Sequence, residues 1–108
     1  MYSKKERADY NRDRAIKCKE LNITENQYNW LRRKGEELRR IYTAACNGEI
    51  DYGQEYERAV NPLEKSVIKY AGKLGLFVYF QTDPRGATIY ADIKPIPEAN
   101  YNRAHCIY

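Results

Sequence analysis

From Tyr28 onward, apolar or small residues recur at Leu31, Gly35, Leu38, Tyr42 and Ala45, in alternating three- and four-residue steps that lay one stripe along an α-helix. The segment before it writes a helix start: Thr24 as N-cap, Gln27 to close a capping box, and Ile23 placed to staple onto Tyr28. Cys46-Asn47-Gly48 ends it, with Gly48 suited to the left-handed position after the last turn. The pattern predicts a long helix over 24–47. A second stripe runs through Leu63, Val67, Tyr70, Ala71 and Leu74 and closes at Gly75. Asn61 can cap it, Pro62 fits the first helical position, and Glu64 follows three residues after the cap, so a helix over 62–74 is expected. On this reading Pro62 also terminates a separate short helix over 52–60.

Beyond Gly75 the period shortens to two. Residues 76–82 and 87–93 are β-rich runs flanking Asp83-Pro84-Arg85-Gly86, which reads as a hairpin loop and gives a hairpin over 76–93. With those four residues as the loop, Thr82 faces Ala87. Leu76, Val78 and Phe80 then share a face with Ile89, Ala91 and Ile93, and Tyr79 lies across from Tyr90 on the other face, beside Gln81 and Thr88. Lys94-Pro95-Ile96-Pro97 leads the chain out of the sheet before Ala104-His-Cys-Ile-Tyr108, a candidate third strand. Upstream, residues 3–20 alternate charges with few apolar positions. They read as a basic arm over 1–15, or a frayed helix that becomes ordered near Ile16. The expected architecture is one α+β domain over residues 1–108, with three to four helices packed on one face of a small antiparallel sheet.

Composition adds two facts to this frame. Eleven of the 14 aromatics are tyrosines, so most rings carry a hydroxyl and can sit half in water. The net charge of +4 conceals a split: residues 1–40 hold 12 Lys/Arg against 7 Asp/Glu, and the remainder is nearly balanced. No run approaches the roughly 18 apolar residues of a membrane span, and no membrane partner is expected. Three distant cysteines, Cys18, Cys46 and Cys106, do not form a disulfide framework, and the charged N-terminus is not a secretory signal, so a cytoplasmic location is expected.

Tyr79-Phe-Gln81-Thr-Asp83-Pro-Arg-Gly86-Ala-Thr-Ile-Tyr90, preceded by a helix ending Cys46-Asn47-Gly48, resembles a group of small phage and prophage proteins that share a C-terminal Tyr-x-Gln-x-Asp-Pro-Arg-Gly hairpin. The likeness covers roughly residues 24–93. It implies a small accessory protein of a mobile element, in the host cytoplasm, of the kind that blocks a host defence complex by binding it. The group carries no established activity, so no functional residue transfers from it.

The candidate chemistry is that of binding rather than catalysis. Arg85 is the one loop residue that turn geometry does not require; with Tyr79, Gln81 and Tyr90 it forms a candidate partner-binding surface for a host protein or nucleoprotein complex. The alternative is an Arg85 that is solvated or pairs with Asp83. Arg32, Arg33, Arg39 and Arg40 form a candidate nucleic-acid-binding set, because residues seven apart stack along one helix face. Glu36 and Glu37 sit four residues after Arg32 and Arg33, so local ion pairs are the competing account. Arg14, Lys17 and the other basic residues of the arm share this ambiguity. Tyr28, Tyr42 and Tyr70 lie on the apolar stripes and are assigned to the core. A pocket for a small phosphorylated ligand needs several convergent donors, which the sequence does not place.

No catalytic set, cofactor or metal is implied. Asp83 and Asp92 fall too far apart on the hairpin to share a metal ion. Cys18, Cys46, Cys106 and His105 lack zinc-ligand spacing and read as small hydrophobes beside a strand histidine. Gly35 inside the long helix signals either close approach of another helix or simple tolerance.

Overall fold

The computed structural model describes residues 3–83, 86–95 and 105–108, with the Asp83 side chain excepted. Three helices, α1 (Lys4–Leu21), α2 (Glu25–Cys46) and α3 (Gln54–Lys73), precede three strands, β1 (Phe77–Asp83), β2 (Gly86–Asp92) and β3 (His105–Cys106). The strands form one antiparallel sheet of order β1-β2-β3, which makes the fold α+β.

α2 begins as its sequence dictates. The Thr24 hydroxyl accepts from the Gln27 backbone N–H (3.1 Å), and the Gln27 side chain accepts from the Thr24 N–H (2.8 Å). Its stripe is buried at Tyr28, Leu31, Gly35, Leu38 and Ala45, with Tyr42 half-buried. Beyond the helix Gly48 takes φ +76°, the conformation for which glycine is suited.

Two helices differ from expectation. α3 does not restart at Pro62; it runs through it from Gln54 to Lys73. Proline in a helix interior costs about 3 kcal/mol, because it removes one hydrogen bond and crowds the carbonyl four residues back. Here Pro62 and Arg58 are both exposed, so water can serve the orphaned carbonyl. Tyr56 and Val60 before the proline, and Leu63 and Val67 after it, anchor both halves on the same core. Asn61 is therefore a mid-helix residue and not a cap.

α1 is helical from Lys4, well before Ile16, with the Ser3 side chain accepting from the Glu6 N–H (3.1 Å). It buries only Cys18 and Leu21. Polar tethers fasten it: Lys17 Nζ donates to the Cys106 carbonyl (2.9 Å), His105 Nε2 meets Glu20 (2.9 Å), and Arg14 meets Glu25 (3.8 Å).

The hairpin register agrees with the hydrophobic sorting. Val78 pairs with Ala91, Phe80 with Ile89, and Thr82 with Ala87; the aliphatic face they form turns toward α2 and α3. Pairing extends one step further than a four-residue loop allows, to Asp83 opposite Gly86, which leaves residues 84–85 as the connection. Ile93, expected on the aliphatic face, lies past the strand and is 49% exposed.

β3 departs from plain alternation. Ile107 and Tyr108 both donate to the Ile89 carbonyl (2.8 and 3.4 Å), while the Ile89 N–H donates to the Tyr108 carbonyl (2.9 Å). Two residues thus oppose one, as in a β-bulge, which re-aims side chains at the end of a strand. Ile107 is buried at 1% exposure, and Tyr108 also turns inward, against Gly35 of α2. A Cβ built on Gly35 would stand 2.5 Å from the Tyr108 Cβ. The glycine therefore marks a close approach, by the C-terminal strand and not by another helix.

Among the described residues no helix is long and apolar enough to cross a membrane.

Candidate functional site

The side of α2 next to its buried stripe carries Arg32 and Arg39, seven residues and about 10 Å apart at 1.5 Å per residue. Both are half-buried. The Tyr108 ring, fixed against Gly35 between them, receives both guanidinium groups, with Arg32 Cζ 5.0 Å and Arg39 Cζ 4.4 Å from its centroid. Arg32 also lies over the Tyr10 ring of α1 at 4.9 Å, and Arg14 approaches the same ring at 5.6 Å. Arginines and tyrosines thus alternate across three elements in the order Arg14, Tyr10, Arg32, Tyr108, Arg39. Each contact of this kind is worth about 0.5–1 kcal/mol at an exposed site and more when desolvated.

These residues line a cleft of about 260 Å³ between α1, α2 and β3, together with Lys17, Asp13, Tyr28, Cys106 and Ile107. Four cations thus converge with one carboxylate. Their hydrogen bonds run mostly to neutral acceptors: Arg32 to the Ile107 carbonyl (3.4 Å), Arg39 to the Ala87 carbonyl (3.4 Å), and Lys17 to the Cys106 carbonyl. Those bonds pin the sheet edge to the helices without cancelling charge. Among the described residues neither Arg32 nor Arg39 has a carboxylate within 4.0 Å, whereas Arg14 reaches Glu25 and Lys17 reaches Asp13. Arg14 Nε and Arg39 Nε are buried with no hydrogen-bond partner. Two half-desolvated guanidiniums sharing one ring, with spare donors and no counter-ion, make a site for an anion.

Tyr28, only 2% exposed, is among the residues that line this cleft. Burial pushes its phenol up to about 12, with smaller contributions from neighbours including Tyr10. An unfolded tyrosine titrates near pH 10, so the folded chain keeps a proton that the unfolded chain has lost. Stability should therefore fall as pH rises from about 10 toward 12, by up to about 3 kcal/mol. Tyr28→Phe should move the alkaline unfolding midpoint upward in a circular-dichroism titration, and an unmoved midpoint would exclude this assignment.

Of the four arginines singled out in α2, the structure separates Arg32 and Arg39 from Arg33 and Arg40. The latter two are exposed, and Arg40 pairs with Glu36 (3.9 Å). The local ion pairs are Arg40–Glu36 and Lys34–Glu37, not Arg32–Glu36 and Arg33–Glu37. Spacing did not find the role of Tyr10, Arg14, Lys17 or Tyr108. The signal in α1 is a stripe in steps of four, three and four through Tyr10, Arg14, Lys17 and Leu21; for Tyr108 there is none, because the bulge aims it.

The hairpin candidates occupy a different surface. Tyr79 pairs with Tyr90 and Gln81 with Thr88, so all share the sheet face opposite the helices, beside Phe77, which is 45% exposed. Arg85 lies outside the described residues. Asp83 and Asp92 stand at opposite ends of the hairpin, and no group of three metal-ligating side chains occurs among the described residues. Cys18 is buried and its thiol is pushed up by that burial; Cys46, expected to be buried, is exposed at the end of α2. Tyr28 is core, and Tyr42 and Tyr70 are half-buried against it, with Tyr70 stacked on Trp30 at 4.0 Å.

Comparison with protein-family models, with curated proteins and with solved structures returns no match.

Proposed function

We propose that this chain is a non-enzymatic nucleic-acid-binding module that takes phosphate groups into the cleft between α1, α2 and β3. The observation that carries this reading is the Arg32–Tyr108–Arg39 arrangement, two half-buried cations on one ring with no carboxylate within 4.0 Å of either among the described residues. Nucleic acid supplies closely spaced phosphates, and each one neutralised releases counterions.

Binding measured by fluorescence anisotropy across a salt series tests it. With three or four phosphates engaged, the slope of log affinity against log salt should be roughly −2 to −4. Replacing both Arg32 and Arg39 by glutamine should weaken binding by about tenfold or more and flatten the slope by roughly one to two. The matching Arg33→Gln, Arg40→Gln double variant should leave it nearly unchanged. Binding that is flat with salt, or absent at low salt, would refute the proposal.

A second reading rests on the shared face of Tyr79, Gln81 and Tyr90. It makes the protein an accessory factor, as the likeness to phage proteins implies, that docks on a host complex through the hairpin. Tyr90→Ala separates the two: it leaves nucleic-acid binding intact under the first and abolishes partner capture under the second.

A further inference from the structure

The cleft opens beside a second hollow of about 590 Å³, lined by Glu6, Arg7, Asp9, Tyr10, Asn11 and Arg32. Tyr10 and Arg32 belong to both. The two spaces differ in charge. The cleft sets four cations against one carboxylate, while the hollow brings two carboxylates, Glu6 and Asp9, beside Arg7 and the shared Arg32, with Asp9 paired to Arg12 (3.6 Å). A phosphate is drawn to the first and gains nothing in the second, where the carboxylates oppose it. A neutral planar ring suits the hollow: Tyr10 remains 37% exposed beside the Arg32 and Arg14 guanidiniums, Asn11 can donate to a carbonyl edge, and Glu6 and Asp9 can accept from an amino group. The volume lies within the range of small-molecule sites, enough for a base with its sugar.

On the strength of the nucleic-acid reading above, we infer that the cleft and hollow together form a single-strand site, with phosphates on Arg32 and Arg39 and one unpaired base held against Tyr10. Two features favour a single strand over a duplex. Bases in a duplex are stacked on each other and cannot reach Tyr10, whereas a cationic groove interleaved with exposed aromatic rings is how single strands are held without sequence reading. The cleft is also narrow, because Lys17 ties α1 to the Cys106 carbonyl (2.9 Å), both of them lining it. The Arg32 and Arg39 guanidiniums both lie within 5.0 Å of the Tyr108 centroid, so they can serve neighbouring phosphates of one strand.

The experiment compares a short labelled oligothymidylate with the same strand annealed to its complement, using the full chain at low salt. The single strand should bind at least about tenfold more tightly. Tyr10→Ala should weaken single-strand binding roughly 5- to 100-fold with an unchanged salt slope, since it removes stacking and no charge. Tyr10→Phe, which keeps the ring, should retain it, and thermal melts of both variants show that the fold persists. Equal affinity for strand and duplex, with Tyr10→Ala silent, would overturn the single-strand inference and leave phosphate binding in the cleft standing. Loss of all salt-dependent binding would remove both. Displacement of the strand by thymidine monophosphate at equal concentration would also overturn it, by showing that the site takes a free nucleotide.

Discussion

Gly35→Ala will destabilise the protein by about 2 kcal/mol in urea denaturation, the reverse of what a glycine-to-alanine change does in an unobstructed helix. The added methyl ordinarily contributes about 1 kcal/mol of helix propensity. Here it would stand 2.5 Å from Cβ, 2.8 Å from Cγ and 2.9 Å from Cδ1 of Tyr108. The first of these atoms is attached directly to the backbone just past β3, so relief requires that backbone to move and not a rotamer to change. Overpacking of this kind costs about 1–3 kcal/mol and exceeds the propensity gain. The partner variant identifies the cause: with Tyr108→Gly in place, Gly35→Ala should become stabilising by about 1 kcal/mol. A stabilising Gly35→Ala in the otherwise unaltered chain would show that the strand does not approach α2 at this point. If the proposed function holds, the substitution should also weaken nucleic-acid binding, because displacing Tyr108 removes the ring on which Arg32 and Arg39 meet.

Ile107→Ala should cost about 2–5 kcal/mol, the range for truncating a buried isoleucine. Ile107 is 1% exposed and shares the core with Ile89, Leu31 and Val67. Among the described residues β3 pairs with β2 through Cys106 opposite Tyr90 and His105 opposite Ala91, followed by the bulge. Burial of Ile107, more than the ladder, holds it in place. Arg32 and Lys17 donate to carbonyls of this segment, so its release would also open the cleft. Ile68→Ala is the control: that isoleucine is 52% exposed on α3, and its truncation should stay within about 0.5 kcal/mol. Equal losses at the two positions in denaturant melts would refute the assignment of Ile107 as the anchor.

The elements that were legible in the sequence are those whose signals are local and agree with one another. At α2, the Thr24–Gln27 box, the stripe from Tyr28 to Ala45 and the glycine stop all describe the same helix, and each is found in place. In the hairpin, only one register sorts aliphatic from tyrosine positions, so Tyr79 and Tyr90 had to pair. Local rules failed where tertiary burial outweighed them. Pro62 is a strong break signal worth about 3 kcal/mol, yet Val60 and Val67 lie on the same core from either side of it and keep α3 whole. The charge alternation of α1 has no apolar stripe to declare a helix, and much of what orders it comes from Cys106, His105 and α2, distant in sequence.

The candidate site divides in the same way. Spacing put Arg32 with Arg39 and Arg33 with Arg40, and both pairings are properties of any helix. Which pair meets a cleft depends on the orientation of α2 over the sheet, and that follows from core packing. The four cations of the cleft come from two helices, and Tyr108 reaches them because Ile107 and Tyr108, just past β3, both oppose Ile89 where regular pairing would place one residue.

By itself, then, the sequence determined the α+β class, the boundaries of α2, the register and faces of the hairpin, a basic N-terminal half, and a tyrosine-rich chain. These follow from periodicities and caps read over a few residues. Only the tertiary structure decided the reach of α3 through Pro62, the partner of Gly35, and the assembly of Arg14, Lys17, Arg32 and Arg39 around Tyr10 and Tyr108. Those depend on contacts between segments up to 89 residues apart, as between Lys17 and Cys106, and no local pattern encodes where such segments meet.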